Sequence, residues 1–263
     1  MQEETILLVM DVSLSMRASD VAPDRITAAQ QAAKDFIAVL PGNVSIGVVS
    51  YAGSAQLVQP PTLDKQAALD AIDRFQLQRG TAIGNGLAVG LATLFPNDGI
   101  DVSLLDSPRT SRPSVPMDDR LGAKRMKPVP PGSYSSAAIV LLTDGQNLLG
   151  FDPIAAAQMA ADHGIRVFTV GIGTPDGQII DLCGWKMRVK LDEATLKHIA
   201  DLTMGKYFHA NSGVELGSIY EELASRLIFE KKHTEVTFLF AALAGCLVLA
   251  AAALSLWWFG RPI

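Results

Sequence analysis

Aromatic residues, histidine and cysteine are scarce in this 263-residue chain, and it has no run of positive charge. Aromatic side chains make up 6% of the residues, beside four histidines and two cysteines. The net charge is −5 without a basic block, which gives nucleic-acid binding little support. Cys183 falls in a predicted loop and Cys246 in an apolar helix, so we expect no disulfide between them, and cysteine usage does not indicate the redox compartment.

Hydrophobic residues are plentiful instead, at 49% with a mean hydropathy of +0.25, and the excess lies near the C-terminus. Residues 236–259 form an uncharged run that would span about 36 Å as a helix, enough to cross a hydrocarbon core of about 30 Å. Trp257 and Trp258 would then lie at the membrane interface. We predict a transmembrane helix at 236–259, between a juxtamembrane linker at 230–235 and a short tail at 260–263.

The orientation of this helix is not fixed by its flanking charges. Lys231 and Lys232 precede it and Arg261 follows it, so the positive-inside rule gives no clear direction. The first predicted strand begins within about five residues of Met1, and we expect no signal peptide. Two arrangements stay open: a tail-anchored protein with a cytoplasmic domain, or a domain preceded by membrane helices that this chain lacks.

Strands and helices alternate from residue 5 to residue 229. This alternation predicts an α/β domain at 1–229, with a doubly wound, mostly parallel sheet and helices on both faces. The apolar runs predict strands at 5–11, 44–51, 55–58, 137–143, 165–171 and 206–209. Helical periodicity predicts helices at 25–40, 64–72, 83–95, 154–163, 192–202 and 214–228. We expect Pro60 and Pro61 to end the pairing of the third strand.

Residues 96–136 interrupt this rhythm. The segment holds seven prolines and has no hydrophobic periodicity. Such a long connection is unusual inside a compact domain, so we predict an inserted surface loop that is at least partly disordered. A tolerated insertion is favoured over a loop that docks a partner, and the segment supports no functional assignment.

Polar side chains follow two of the buried strands. Asp11, Ser13 and Ser15 form an Asp-x-Ser-x-Ser sequence after the first strand, and Asp144 follows the 137–143 strand. Thr81 lies on the turn before the 83–95 helix. Ligands of open parallel sheets bind outside the carboxyl ends of the strands, so three loops would bring these oxygens to one edge. Such oxygens suit Mg²⁺ or Mn²⁺.

Each of these residues also has a purely structural interpretation. The serines could cap and turn the chain, Asp144 could form a turn with Gly145, and Thr81 could be a helix N-cap. Their joint occurrence in this order favours a metal site.

The three motifs resemble the metal-ion-dependent adhesion site of von Willebrand factor type A domains, and the resemblance covers nearly all of residues 5–229. It implies that the hydroxyl ligands bind Mg²⁺ or Mn²⁺ directly, and that the aspartates bind directly or through water. It also implies a vacant position for an Asp or Glu carboxylate of a partner protein. Leu14 departs from the small or polar residue common there, which affects loop packing more than metal binding. The implied ligands are Asp11, Ser13, Ser15, Thr81 and Asp144.

Segments 11–30, 47–65, 79–87 and 163–177 are similar to the bacterial, membrane-anchored Bat-type subgroup linked to aerotolerance operons. Its members usually carry one or two further membrane helices before the domain. The resemblance implies the bacterial inner membrane, with the domain outside the cytoplasm. Arg261 is compatible with that topology, and Lys231 and Lys232 weakly oppose it. It also implies a role in assembling envelope complexes, with a MoxR-like AAA+ ATPase and other such domain proteins as partners.

An enzyme is not expected. The sequence contains neither a Gly-x-Ser-x-Gly elbow nor a Walker-type Gly-Lys-Ser/Thr motif. Residues 171–177 partly match a dinucleotide-binding loop, but Pro175 and the late last glycine favour a turn. The histidines are scattered, so no general base is evident beside a metal-bound water. Two alternatives stay open: a structural membrane protein that binds partners without metal, and a less favoured nucleotide-binding enzyme. The histidines are His163, His198, His209 and His233.

Overall fold

The computed structural model describes residues 4–100, 128–174, 177–182 and 185–229, with five further residues at 244, 247, 248, 251 and 254. The chain divides into two compact units, residues 1–225 and 226–263. The first unit contains the sheet and the candidate site.

Six strands form one sheet in the order β3-β2-β1-β4-β5-β8. All neighbouring pairs are parallel except β2 and β3. The strands are β1 (Glu4–Asp11), β2 (Val44–Tyr51), β3 (Ala55–Thr62), β4 (Ala137–Thr143), β5 (Arg166–Ile172) and β8 (Tyr207–Ala210). Two further strands, β6 (Gln178–Leu182) and β7 (Trp185–Val189), pair only with each other as an antiparallel hairpin.

Helices cover both faces of the sheet, as the alternating pattern predicts. One face carries α3 (Ile83–Leu94), α4 (Pro153–Asp162) and α5 (Glu193–Leu202). The other carries α1 (Arg25–Val39), α2 (Lys65–Asp73) and α6 (Gly213–Phe229), where Phe36 of α1 packs on Tyr220 of α6 at 5.0 Å between ring centroids. The α/β fold with a mostly parallel sheet is therefore confirmed.

The order of the strands places a switch point between β1 and β4. From β1 the chain crosses through α1 to β2 on one side, and β4 lies on the other side. Every residue of β2 and β4 is buried, because both faces of these central strands are covered by helices. Loops that leave β1 and β4 at their carboxyl ends therefore meet at the crevice where open α/β sheets bind ligands.

Four helices begin at an aspartate whose carboxylate accepts a hydrogen bond from a backbone N–H of the first turn. This arrangement satisfies donors that have no partner inside the helix. These four aspartates thus have a structural role. The four capping residues are Asp24, Asp64, Asp152 and Asp192.

Helix α3 lies unusually close to its neighbours because glycines face them. A Cβ added at Gly86 would lie 2.8 Å from the Tyr51 ring, and one added at Gly84 would press into the Phe151 backbone carbonyl. Real Cβ atoms essentially never come so close, so these two positions set the separation of α3 from β2 and from the 144–152 loop.

The structure corrects the sequence prediction at β3. Pairing does not end at Pro60 and Pro61, since Thr62 still pairs with Ile46 beyond a register shift. An edge strand has only one partner, so residues without an N–H can be accommodated at an irregularity.

Two short elements were also missed: the hairpin of β6 and β7, and a 3₁₀ helix at Leu14–Arg17. The turn expected near residue 177 is present, with Gly177 donating its N–H to the Thr174 carbonyl at 3.1 Å.

Several predictions fall outside the described residues. These are most of the 96–136 insertion, the 230–235 linker, the 260–263 tail, Cys183 and Cys246, and nearly all of the 236–259 span. The end of the insertion is described, and there Val129 and Tyr134 donate backbone hydrogen bonds to the turn after α4. Within the described ranges, no helix combines the length and apolar character needed to cross a membrane.

We predict that Gly84→Ala destabilises the domain although alanine favours helix formation. The new methyl group meets backbone rather than a movable side chain, so we expect a loss of about 1–3 kcal/mol in the free energy of unfolding. Gly217→Ala in α6 is the matched control, because no atom lies within 4 Å of its added Cβ. There we expect a gain of up to about 1 kcal/mol. Urea denaturation of the detergent-purified chain measures both, and equal stabilities would contradict the close packing of α3.

Candidate metal centre

Asp11 is the last residue of β1, and its side chain is completely buried. Its Oδ1 accepts a hydrogen bond from the Ser13 backbone N–H at 2.8 Å, and its Oδ2 accepts one from the Thr143 hydroxyl at 2.6 Å. Thr143 ends β4, the neighbouring strand, so the parallel register itself brings donor and acceptor together. The carboxylate is held at two oxygens and has little rotational freedom.

The two serines follow on the loop that leaves β1. Ser13 precedes the short 3₁₀ helix but makes no side-chain cap hydrogen bond, and Ser15 lies within that helix. Their hydroxyl oxygens lie 2.7 Å apart, and both residues are buried. The capping interpretation of Ser13 is therefore wrong, and the two hydroxyls face each other beside Asp11.

Asp144 directly follows β4 and is also completely buried. Its Oδ2 accepts a hydrogen bond from the Arg25 guanidinium at 3.2 Å, and its Oδ1 accepts one from the Gln146 backbone N–H at 3.3 Å. The backbone carbonyl of Asp144 accepts from the Asp192 N–H at 3.0 Å. Asp144 is thus fixed on both its side-chain and its main-chain oxygens.

Arg25 is the only cation in contact with this cluster among the described residues, and it is fully buried. It also donates two hydrogen bonds to Asp20, at 2.8 and 2.6 Å, and Asp20 in turn accepts from the Thr174 N–H and hydroxyl. Gly173 lies against the guanidinium with φ +122°, and a Cβ there would come within 2.5 Å of it. The loop after β5 therefore leaves room for one arginine between two aspartates.

Thr81 lies on the loop before α3 and is buried. Its backbone carbonyl accepts from the N–H groups of Leu148 and Leu149 at 2.9 and 3.0 Å. On the other side, the Gln78 N–H donates to the Val12 carbonyl at 2.8 Å. These bonds join the Thr81 loop to the loops of both Asp11 and Asp144, and the Thr81 hydroxyl has no hydrogen-bond partner in the described part of the chain.

The structure also shows that Thr81 is not the N-cap of α3. The N-cap position is Ala82, and the Ile83 N–H is satisfied by the Asn147 side-chain oxygen at 2.9 Å. The start of this helix is therefore capped from the Asp144 loop. That arrangement does not use the hydroxyl of Thr81.

The cluster holds more negative charge than its surroundings neutralise. Burial, and then repulsion by Asp144, raises the pKa of Asp11 to about 7. Burial also raises the pKa of Asp144, although the neighbouring Ser15 hydroxyl and Arg25 partly oppose this. Three carboxylates (Asp11, Asp20 and Asp144) and one guanidinium (Arg25) give a net charge of −2 when all are ionised.

Tyr51 lies beneath the site at the end of β2, opposite Asp11. Its hydroxyl is buried and makes no hydrogen bond of normal geometry in the described part of the chain. Burial, followed by the charge of Asp11, raises the pKa of Tyr51 well above its usual value, so the hydroxyl stays neutral. Tyr51 adds an apolar wall and no further charge.

These donors fit a hard divalent cation such as Mg²⁺ or Mn²⁺ better than a softer metal that prefers nitrogen or sulfur ligands. Carboxylates and hydroxyls are hard oxygen ligands, and a charge of +2 would match the net −2 of the cluster. No three His, Cys, Asp or Glu side chains of the described residues converge as a metal-ligand set, so hydroxyls have to complete any coordination here. Four of the five predicted ligands lie together, and the fifth, Thr81, lies on a loop bonded to theirs. Their role as ligands stays a prediction.

Sequence reasoning missed the residues that support the site, above all Arg25 and Thr143. A signal for Arg25 was present, since it opens a helix whose first turn holds no acidic residue. A cation is unfavourable at the positive end of the helix dipole and implies a carboxylate nearby. Thr143 could have been singled out as the one polar residue of β4.

Comparisons with known proteins identify the family and the fold. A family model described as von Willebrand factor type A domain matches residues 6–115. A UPF0353 protein from Mycolicibacterium paratuberculosis is 33% identical over 256 residues, which cover 95% of this chain and 68% of that protein.

Solved structures share the fold. BatB from Bacteroides thetaiotaomicron superposes with a TM-score of 0.63 at 23% identity, covering 86% of this chain and 98% of that one. An aerotolerance-related membrane protein from Bacteroides fragilis gives 0.61 at 23% identity, with coverage of 85% and 98%. Proximal thread matrix protein 1 from the mussel byssus, with zinc in its MIDAS motif, gives 0.51 at 18% identity, with coverage of 85% and 47%.

The sheet order and the loops at its carboxyl edge define a von Willebrand factor type A domain. Within that class, the chain belongs to the UPF0353 family, as its 33% identity with the mycobacterial relative shows. The resemblance to von Willebrand factor type A domains is confirmed, and the metal site within it stays a prediction.

We predict that Arg25→Met strongly destabilises the metal-free domain. Without the guanidinium, Asp20 and Asp144 are left without their cation, and breaking a buried ion pair in this way costs about 3–5 kcal/mol. Lys34→Met is the matched control, because its ion pair with Asp73 is largely exposed and is worth at most about 1 kcal/mol. Urea denaturation in EDTA compares the two, and similar losses would show that Arg25 does not stabilise the carboxylates.

Proposed function

We propose that this chain is a membrane-anchored binding module that holds a carboxylate of a partner protein through a divalent cation. The observation that carries the proposal is the buried cluster of three carboxyl groups around one guanidinium (Asp11, Asp20, Asp144 and Arg25), which has a net charge of −2 when all four are ionised. Such an excess of buried negative charge is relieved either by protonation, as the raised pKa of Asp11 reflects, or by a bound cation.

The proposed ligands supply only oxygen and lie on three loops. The hydroxyls of Ser13 and Ser15 already face each other, and the Thr81 hydroxyl has no other partner in the described residues. Mg²⁺ is the proposed ion and Mn²⁺ the alternative, since both prefer such donors. When bound, the ion supplies a positive charge with an open coordination position for a partner's Asp or Glu. The proposed ligand set is Asp11, Ser13, Ser15, Thr81 and Asp144.

Binding is a better use of these residues than catalysis. Asp11 has a pKa suited to a general base, but it is completely buried and its two oxygens already accept hydrogen bonds from Ser13 and Thr143. A general base has to reach a substrate proton or one intervening water. The zinc-occupied MIDAS motif of the mussel protein, which shares this fold, also supports a metal site here.

The setting of this module is proposed from the sequence. The apolar run at 236–259 would anchor it in the bacterial inner membrane, with the domain outside the cytoplasm. A structural relative described as an aerotolerance-related membrane protein supports a membrane location. The proposed partners are other von Willebrand type A proteins and a MoxR-like AAA+ ATPase, in the assembly of envelope complexes.

Thermal unfolding of the detergent-purified chain tests the metal site. At Mg²⁺ about 100 times its Kd, binding adds about 2.7 kcal/mol to stability, which corresponds to a rise in Tm of about 5–10 °C. Asp11→Asn should abolish this rise. In EDTA the same variant should be at least as stable as the natural chain, because it removes one of two buried carboxylates that repel each other.

This pair of results separates loss of a ligand from loss of the fold. An unchanged Tm in both Mg²⁺ and Mn²⁺, or a rise that persists in Asp11→Asn, would refute the proposed site. A variant that is less stable in EDTA as well would show that Asp11 is mainly structural.

Thr81→Val tests the proposed ligand that has the least direct connection to the other four in the structure. Because the hydroxyl has no hydrogen-bond partner in the described residues, stability in EDTA should change by less than about 0.5 kcal/mol. The rise in Tm with Mg²⁺ should fall by more than half. Thr203→Val is the control, since the Thr203 hydroxyl bonds the backbone of Ile199 and Val167. It should lose about 1–3 kcal/mol of stability yet keep the full response to Mg²⁺.

A further inference from the structure

The loop from Arg74 to Ala82, which carries Thr81, is basic in an acidic chain. It holds two exposed arginines, Arg74 and Arg79, and no carboxylate. Neither arginine forms an ion pair within the described residues. The loop is also fixed to the site, since the Gly53 N–H donates to the Arg79 carbonyl at 3.0 Å and Ser13 forms a β-bridge with Gln78.

A polar cavity of about 120 Å³ opens beside this loop. One water molecule needs roughly 10–15 Å³ of such space, so the cavity has room for a small side-chain group. Arg74 supplies its one charge, and Val12, from the Asp11 loop, forms part of its wall. The cavity is therefore bordered by the basic loop, by β2 and β3, and by the residue that follows Asp11. Its lining includes Val12, Ser50, Gln56, Arg74, Phe75 and Gln78.

Two adjacent leucines lie on the other side of Thr81. Leu148 is 60% exposed and Leu149 is 54% exposed, although both backbone N–H groups are fixed to the Thr81 carbonyl. An isolated exposed leucine is ordinary, but an adjacent pair on a fixed backbone beside a candidate ligand is a feature of interaction surfaces. A Cβ at Gly80 would collide with Leu149, so the leucine lies directly over the basic loop.

We propose that the partner of this site is an acidic segment of another protein in which apolar side chains alternate with carboxylates. The inference rests on the proposed function, because one carboxylate is taken to bind at the metal. A second carboxylate then reaches Arg79 or the cavity at Arg74, and an apolar side chain covers Leu148 and Leu149.

The arrangement matches the anatomy of protein interfaces. Apolar contacts near the centre supply affinity, and charges around them steer the partner and exclude molecules of the wrong sign. Thr81 connects the two halves, since its carbonyl holds the leucines and its own loop carries the arginines. A segment bound at the metal would therefore meet both surfaces within a few residues.

Two labelled hexapeptides test this inference on the detergent-purified chain by fluorescence anisotropy in Mg²⁺. One alternates glutamate with leucine and the other alternates glutamate with serine, so their charges are equal. The leucine peptide should bind about tenfold more tightly. Leu148→Ser with Leu149→Ser should remove that difference. Arg74→Gln with Arg79→Gln should weaken both peptides about three- to tenfold, and less so at high salt.

The control residues lie near the amino-terminal ends of the parallel strands, whereas the site lies at their carboxyl ends. Val39→Ser with Leu63→Ser removes two exposed apolar side chains. Lys65→Gln with Lys206→Gln makes the same change in net charge. Neither pair should alter peptide binding. The inference is refuted if both peptides bind equally. It is also refuted if the double variant at Leu148 and Leu149, or the one at Arg74 and Arg79, binds the peptides as its control does.

Failure of the inference is distinguishable from failure of the proposed function. In one outcome, peptide binding needs Mg²⁺ and is abolished by Asp11→Asn, but the leucine and arginine double variants bind normally. The proposed metal site is then supported, and the proposal of an acidic partner segment with apolar side chains is refuted. If Mg²⁺ changes neither Tm nor peptide binding, the proposed function itself is refuted.

Discussion

The repulsion between Asp11 and Asp144 is the constraint around which the rest of this domain is arranged. The two residues end neighbouring parallel strands, so the sheet itself brings them together, and both are completely buried. Burial without a counter-charge is costly, and the raised pKa of each carboxyl reflects that cost. Arg25 offsets part of the charge but shares its guanidinium with Asp20. Under the proposed function, a divalent cation offsets the rest.

The geometry of this cluster is set by the main chain. Backbone hydrogen bonds join Gln78 to Val12, Thr81 to Leu148 and Leu149, and Asp192 to Asp144. They hold the three loops in place before any ligand arrives. Pre-organisation of this kind lowers the cost of binding, because little conformational freedom remains to be lost. The apolar strands and close-packed helices provide the rigid support that such loops need.

The sequence was sufficient to predict those parts of the fold and of the candidate site that depend mainly on one physical rule. Continuous apolar runs indicated the central strands, and oxygen-bearing residues after two of them indicated the edge where Asp11 and Asp144 meet. It was insufficient where tertiary partners decide the outcome. The N-terminus of α3 is capped by Asn147 from another loop, and Arg25 pairs with Asp144, which lies 119 positions away in the chain. The continuation of β3 past Pro61 likewise depends on its place at the edge.

Under the proposed function, the charge of the cluster determines when a partner can bind. The metal-free site is net negative and repels a carboxylate at short range, even though Arg74 and Arg79 nearby attract it. A divalent cation brings the cluster to neutrality and leaves the arginines unopposed. Without metal, repulsion by the cluster offsets attraction by the arginines, whereas with metal only the attraction remains. The interaction with an acidic segment therefore becomes attractive without any movement of the backbone. Metal dependence in this domain would thus follow from charge balance alone, and no conformational switch is needed to explain it.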